Sequence, residues 1–325
     1  MNTILNITNG DSAISLMQQA NIPGDFLPWR DVLHDGPVPA NLSLIELSKL
    51  RAEFIISRNW GDAENIRNSF RQRDQVLTTC HQYQHVRLWF EHDLYDQLQI
   101  LQLLDWFARH PVRNTRLSLI CTEQYLGLTP ADQFEALLEH EQDVTEQQLQ
   151  LAQQAWGAFR ESTPESWRGL LAQDTSPLPF LRDAIIRQLE ELPDCIHGLS
   201  RTAYSALKII ADGETRPGKV FHKYQETEAR RFMGDSSFWF ILNDMLSSTP
   251  AVLSLSSGQL LQPPLSKDLH LQLTPTGEKI LAGELNWLDI HVLDQWMGGT
   301  HLTPDNFWCQ DVHSNNLSHH HMAPR

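Results

Sequence analysis

The sequence predicts an α/β protein: a mostly parallel, Rossmann-like sheet with helices on both faces, followed by a helical connector and a winged-helix-like domain. Three observations predict it. Through roughly the first 125 residues, short apolar runs alternate with stretches of helical period, the pattern of successive βαβ units. Each run empties into a polar cluster, at residues 9–12, 31–36, 91–97 and 122–125. From Leu199 the pattern changes to three helices, two strand-like stretches and a helix opened by Leu273-Thr-Pro-Thr-Gly277. At 325 residues the chain exceeds one average domain. We divide it into an α/β ligand-binding domain (1–140), a helical connector (141–198), a winged-helix-like domain (199–284) and a C-terminal tail (285–325).

Ile4, Leu5 and Ile7 make the first strand, and Gly10 allows a sharp turn after it. Asp11 or Ser12 is expected to cap the next helix, which carries Ala13, Ile14, Leu16, Met17 and Ala20. A helix N-terminus at the carboxyl end of a strand offers free backbone N–H groups and partial positive charge, a seat for phosphate or carboxylate. Asp11 would repel phosphate there unless a metal or a basic group intervenes.

The second strand is Phe26–Trp29, and the loop after it is stiffened by Pro37 and Pro39 and turned at Asp35-Gly36. Such a loop would hold Asp31, His34 and Asp35 in place. Helices over 42–60 and 64–79 carry Arg51, Arg58, Arg67, Arg71 and Arg73. Arg51 is available as an anion clamp, although a solvated helix face accounts for the series equally well. The third strand, Val86–Phe90, ends in Glu91, His92 and Asp93, with Asp96 and Gln97 in the first turn of an apolar helix. A fourth, Leu117–Cys121, runs into residues 122–127.

In an open parallel sheet, ligands sit outside the carboxyl ends of the strands. The candidate catalytic residues are therefore Asp11, Ser12, His34, Asp35, His92 and Asp93. Asn9, Gly10, Asp31, Arg51, Glu91, Asp96 and Gln97 are the candidate ligand-binding residues.

Three stretches carry a resemblance: Asn9–Ala13, Trp29–Pro39 and Leu88–Gln97. They resemble the bacterial domain of unknown function numbered 1835, over roughly the first 125 residues, and Gly298-Gly-Thr-His-Leu302 resembles a segment of its longer members. The resemblance implies an α/β N-terminal domain and no particular activity. Gly10-Asp-Ser12 is also similar to the opening of the Gly-Asp-Ser lipases and esterases. Those enzymes place Asp-x-x-His near the C-terminus, whereas Asp31-Val-Leu-His34 comes early, which disfavours serine chemistry.

Residues 130–195 are rich in Gln, Glu and Leu, with Ala155, Trp156, Phe159 and Trp167 as packing anchors, and read as helices packed on the first domain. Residues 199–284 hold nine Lys or Arg and nine Asp or Glu, in a chain of net charge −15. Their third helix offers Ser236, Ser237, Asn243 and Asp244 but no basic side chain. Phosphate neutralisation supplies most nonspecific DNA affinity, so DNA is disfavoured and a protein partner preferred.

In the tail, paired Gly298 and Gly299 imply a close backbone approach, of the tail returning to the first domain. His301 is a candidate site member, for which a buried structural role is favoured, and His319–His321 are read as a terminal run that is either disordered or of incidental metal affinity. Cys80, Cys121, Cys195 and Cys309 show no C-x-x-C spacing and read as reduced thiols rather than a disulfide framework or zinc site. No run of about 18 apolar residues exists, and no secretory pattern opens the chain, so a cytosolic protein without a membrane span is expected.

Three functions fit these residues. The first is binding of a nucleotide or other phosphorylated small molecule, although G-x-G-x-x-G and the P-loop pattern are both absent. The second is a hydrolase in which Asp11, Asp35, His92 and Asp93 hold a divalent metal and activate water. The third is a noncatalytic regulator that senses a ligand and acts through the winged-helix-like module.

Overall fold

Residues 3–111, 114–311 and 316–320 are described in a computed structural model. The chain divides into two units, Met1–Ile185 with Gly298–Thr300, and Ile186–Met297 with His301–Arg325.

In the first unit, strands and helices alternate as β1 (Ile4–Thr8), α1 (Asp11–Gln19), β2 (Asp25–Pro28), α2 (Leu44–Ser57), α3 (Ala63–Thr78), β3 (His85–Glu91), α4 (Leu94–Arg109) and β4 (Arg116–Thr122). The sheet order is β2-β1-β3-β4-β5, parallel from β2 to β4, with β5 (Gln142–Asp143) antiparallel on the β4 edge. The alternating pattern thus yields the expected α/β sheet, and β5, two residues long, is the strand that its periodicity could not signal.

β3 is buried from Val86 through Glu91, as a strand covered on both faces must be. On one face Trp89 and Ile120 pack with Ala13 and Met17 of α1 and with Leu126, Phe134 and Leu137. α5 (Phe134–Leu137) supplies the last two of these. α4 packs on β3 and on α6 (Glu146–Phe159), so most of its side chains are buried. α2 opens on a reciprocal cap between Ser43 and Glu46, α3 on Asp62 and α4 on Asp93. α6 and α7 (Glu165–Gly169) belong to the first unit, and the division between units falls within α8 (Leu181–Leu189). The 141–198 stretch therefore does not stand apart as one connector.

Gly298–Thr300 completes the first unit. Val38 N–H donates to Gly298 O at 2.7 Å, Gly299 N–H to Phe159 O at 3.0 Å and Thr300 Oγ1 to Glu161 O at 3.2 Å. Gly298 has φ of +58°, and a Cβ on either glycine would run into the carbonyl oxygen of Phe159 or Arg160. The paired glycines make the close approach expected of them.

The second unit contains α9 (Arg201–Ala211), α10 (Pro217–Thr227), α11 (Asp235–Ser247), an antiparallel ribbon of β6 (Leu253–Leu255) and β7 (Leu271–Leu273), and α12 (Pro275–Leu281). α9 packs against α10, β7 and α12. Two further ribbons follow, β8 (Gln295–Met297) with β9 (Thr300–Leu302), and β10 (Phe307–Gln310) with β11 (Leu317–His320). The expected disorder at His319 and His320 gives way to strand pairing in β11, while His321 lies outside the described residues. His301 is 40% exposed rather than buried, bonded to Asp294 at 2.7 Å and stacked on Trp296. Among the described residues, no helix is long and apolar enough to cross a membrane.

Candidate functional site

The connection from β1 runs to β2 at one side of the sheet, and the connection from β2 returns past β1 to β3. Such a reversal opens a crevice at the carboxyl ends of the two strands it separates. Here those strands are β1 and β3, and the residues after them are Asn9-Gly10 and Glu91-His92-Asp93.

The turn from β3 into α4 closes on itself. Asp93 caps α4 by accepting from Asp96 N–H at 3.2 Å, which folds Asp96 back so that its carboxylate accepts from Glu91 N–H. Gln97 Nε2 donates to Glu91 O at 2.8 Å. Across the crevice, Asn9 Nδ2 reaches Glu91 Oε1 at 2.8 Å and the two Asp96 oxygens at 3.0 and 3.1 Å. Leu126 N–H donates to Glu91 Oε1 at 2.7 Å, tying the chain beyond β4 to the same carboxylate.

Glu91, Asp93 and Asp96 are all buried, and one oxygen from each lies within 4.8 Å of the others. Burial raises all three titrations. Asp93 is pushed up to about 8 by burial and then by the charge on Glu91. Asp96 is driven well above the usual carboxylate range by burial and by both neighbours, and Glu91 rises less because Asn9 and Leu126 donate to it. Asp93 and Glu91 also share a hydrogen bond that favours the proton on Asp93. Titrating at about 8, Asp93 keeps its proton at neutral pH. Oxygen donors of this kind suit hard divalent cations such as Mg²⁺ or Mn²⁺, which would displace that proton.

Beside the carboxyl group stands the start of α1. Its N-cap is Gly10, extended and without a side-chain cap, so the expected capping by Asp11 or Ser12 does not occur. A Cβ at Gly10 would meet nothing within 4 Å, which leaves the helix N-terminus open. Asp11, the first helical residue, turns to Arg30: Nε lies 2.6 Å from Oδ2, and the guanidinium holds this carboxyl below the usual range. Arg30 Nη1 also donates to Ser69 Oγ at 2.8 Å. The basic group needed to offset Asp11 is thus present. Ser12 is exposed and lies against Gly127.

The 31–39 loop supports the site from behind. Arg51, fully buried, donates to Asp31 Oδ1 at 2.9 Å, to Asp35 O and Val32 O at 2.8 Å each, and to Pro37 O at 3.3 Å. Four of its five N–H groups are committed to the loop, so Arg51 organises backbone instead of clamping an anion. Asp35 faces Arg58 at 3.7 Å, with its titration raised by burial. His34 meets the ring of Tyr95 edge-on at 5.9 Å, and His92 lies against Tyr125 and Phe180.

Of the sequence candidates, Asn9, Glu91, Asp93, Asp96 and Gln97 come together, with Gly10, Asp11 and Ser12 at the adjoining helix start. Asp31, Asp35 and Arg51 form the loop support, and both histidines have aromatic surroundings. Arg30 and the Leu126 N–H were missed. Arg30 lies just past β2, so the same strand-end rule, applied to a cation, finds it. Gln97 further lines a cleft of about 320 Å³ with Cys121, Gln142, Gln148 and Leu178, a size that admits a small ligand. Burial pushes the Cys121 thiol up to about 12, which leaves it unreactive.

No family model matches the chain, and no curated protein matches it. What the site does has to be read from its own chemistry.

Proposed function

We propose that the protein binds a small phosphorylated ligand, of the nucleotide or sugar-phosphate kind, where β1 and β3 end. The observation that carries this reading is the meeting, at the point of strand-order reversal, of an open helix N-terminus with the Asn9–Glu91–Asp96 cluster. Backbone N–H groups of residues 11–13 and the Arg30 guanidinium receive the phosphate. Glu91, Asp93 and Asp96 accept hydroxyl or amino groups of the remainder, or the divalent cation that accompanies a polyphosphate. The resemblance of the opening 125 or so residues to the domain of unknown function numbered 1835 agrees with this architecture and names no reaction.

Metal-dependent hydrolysis is the second reading, favoured by the spacing of the three carboxyl oxygens within 4.8 Å. The helices α9–α11 with the β6–β7 ribbon support a winged-helix-like reading of 199–284, whose even charge gives it no general affinity for phosphate.

Thermal unfolding against nucleotides and sugar phosphates, with and without Mg²⁺ or Mn²⁺, tests the proposal. A ligand at about a hundred times its Kd adds roughly 2.7 kcal/mol. The stabilisation should vanish in Arg30→Ala and in Asp96→Asn. A shift that persists in both variants, or none across the panel, rejects the site; release of inorganic phosphate with a metal present selects the hydrolytic reading.

A further inference from the structure

The second unit holds a cluster of metal-ligating side chains that the strand-end chemistry does not use. Cys195 follows Asp194 in a turn, Cys309 lies on β10 and His320 on β11. Backbone pairing explains why residues so distant in sequence meet. Gln310 N–H donates to Pro193 O at 2.9 Å, and Asp194 forms a parallel bridge with Gln310, which lays the 193–195 segment beside β10. On the antiparallel ribbon, Phe307 stands opposite His320 and Cys309 opposite Ser318. Alternation along a strand puts all four on one face, so Cys309 and His320 are diagonal neighbours there. The Phe307 ring stacks on His320 with centroids 5.5 Å and planes 21° apart, which orients the imidazole. One donor atom from each of Cys195, Cys309 and His320 lies within 4.8 Å of the other two.

We propose that Cys195, Cys309 and His320 form a thiolate–imidazole site for zinc. Two sulfurs and one imidazole nitrogen are a zinc donor set, and thiolates select against Mg²⁺ and Ca²⁺. Zn–S near 2.3 Å and Zn–N near 2.0 Å in a tetrahedron space the donors by roughly 3.5–3.8 Å. The three groups need to close by at most about 1.3 Å from the 4.8 Å limit. Cys309 is buried, whereas Cys195 and His320 are exposed, so the open side faces solvent and water takes the fourth position. The thiols release their protons as the ion binds. Once bound, zinc ties the β10–β11 ribbon to the Asp194 turn within the same unit. The usual sign of a zinc site, two cysteines close in sequence, is missing because strand pairing, not local spacing, brings these ligands together.

The full chain, stripped by a chelator under reducing conditions, is titrated with Co²⁺ and then with Zn²⁺ against a chromophoric chelator. Co²⁺ should give a sulfur-to-metal charge-transfer band that Zn²⁺ abolishes. Cys195→Ser and His320→Ala, both at exposed positions, should keep the circular dichroism of the parent and weaken zinc at least about tenfold. No band, or a zinc affinity unchanged in both variants, overturns the site. So does oxidation of Cys195 and Cys309 to a disulfide at the same rate with and without zinc, because coordinated thiolates would be protected.

Discussion

Asp93 does two things with one carboxyl group: it caps α4 through Asp96 N–H and it shares a proton with Glu91. Its titration rises from 3.8 to about 8 in the folded chain. Between those values the folded state keeps a proton that the unfolded state has lost, so its contribution to stability is complete below about 4 and fades as pH climbs to about 8. Asp93→Asn preserves the cap, since asparagine caps as well as aspartate, and deletes the titration. The urea midpoint of this variant should fall less between acidic and mildly alkaline pH than that of the parent. An equal fall would assign the slope to other groups. Arg51 teaches the complementary lesson. Its charge and its place in a helix pair dense in arginine suggest a clamp, but a guanidinium whose donors are spent on Asp31 and three loop carbonyls has little left for a ligand. Sequence reports which groups could act, and burial decides which are already engaged.

At the scale of elements, the start of α1 separates stability from binding. Gly10 is extended with φ of −178°, and a side chain there meets open space. Gly10→Asp should therefore hold stability within about 0.5 kcal/mol, as aspartate and glycine caps differ by only a few tenths, while setting a carboxylate in the anion seat. Loss of the phosphate-induced thermal shift with an unchanged urea midpoint is the expected result; an undiminished shift would remove α1 from the site. The four parallel strands and their helices were legible because each is a periodic run bounded by turn residues, and Val86–Phe90 was read to within a residue of either end of β3. The Glu91–Gln97 turn was legible for the same reason, being polar between a strand and a helix. β5 and the tail ribbons were not, because β5 is two residues long and the tail strands, Gln-Trp-Met, Thr-His-Leu, Phe-Trp-Cys-Gln and Leu-Ser-His-His, show no apolar–polar alternation. Arg30 and the Leu126 N–H escaped because one is a lone cation in a loop and the other is backbone, which composition does not distinguish.

For the whole molecule, the division of the chain matters more than its length. Gly298–Thr300 is part of the first unit although residues 186–297 intervene. Gly299→Ala should drive a Cβ into the Arg160 carbonyl and expel the segment. Hydrogen exchange would then show loss of protection at Val38 and at residue 299, whose N–H groups are bonded to Gly298 O and Phe159 O. Protection retained at Val38 would mean that the backbone had yielded without releasing the contact. The same arrangement bears on the order in which the protein can be finished as it is made. A ribosome delivers Gly298 on the order of ten seconds after Ile185, at the usual pace of elongation. Until then Val38 N–H and the carbonyls of Phe159 and Glu161 have water in place of their final partners, so the first unit is born before the second yet completed after most of it.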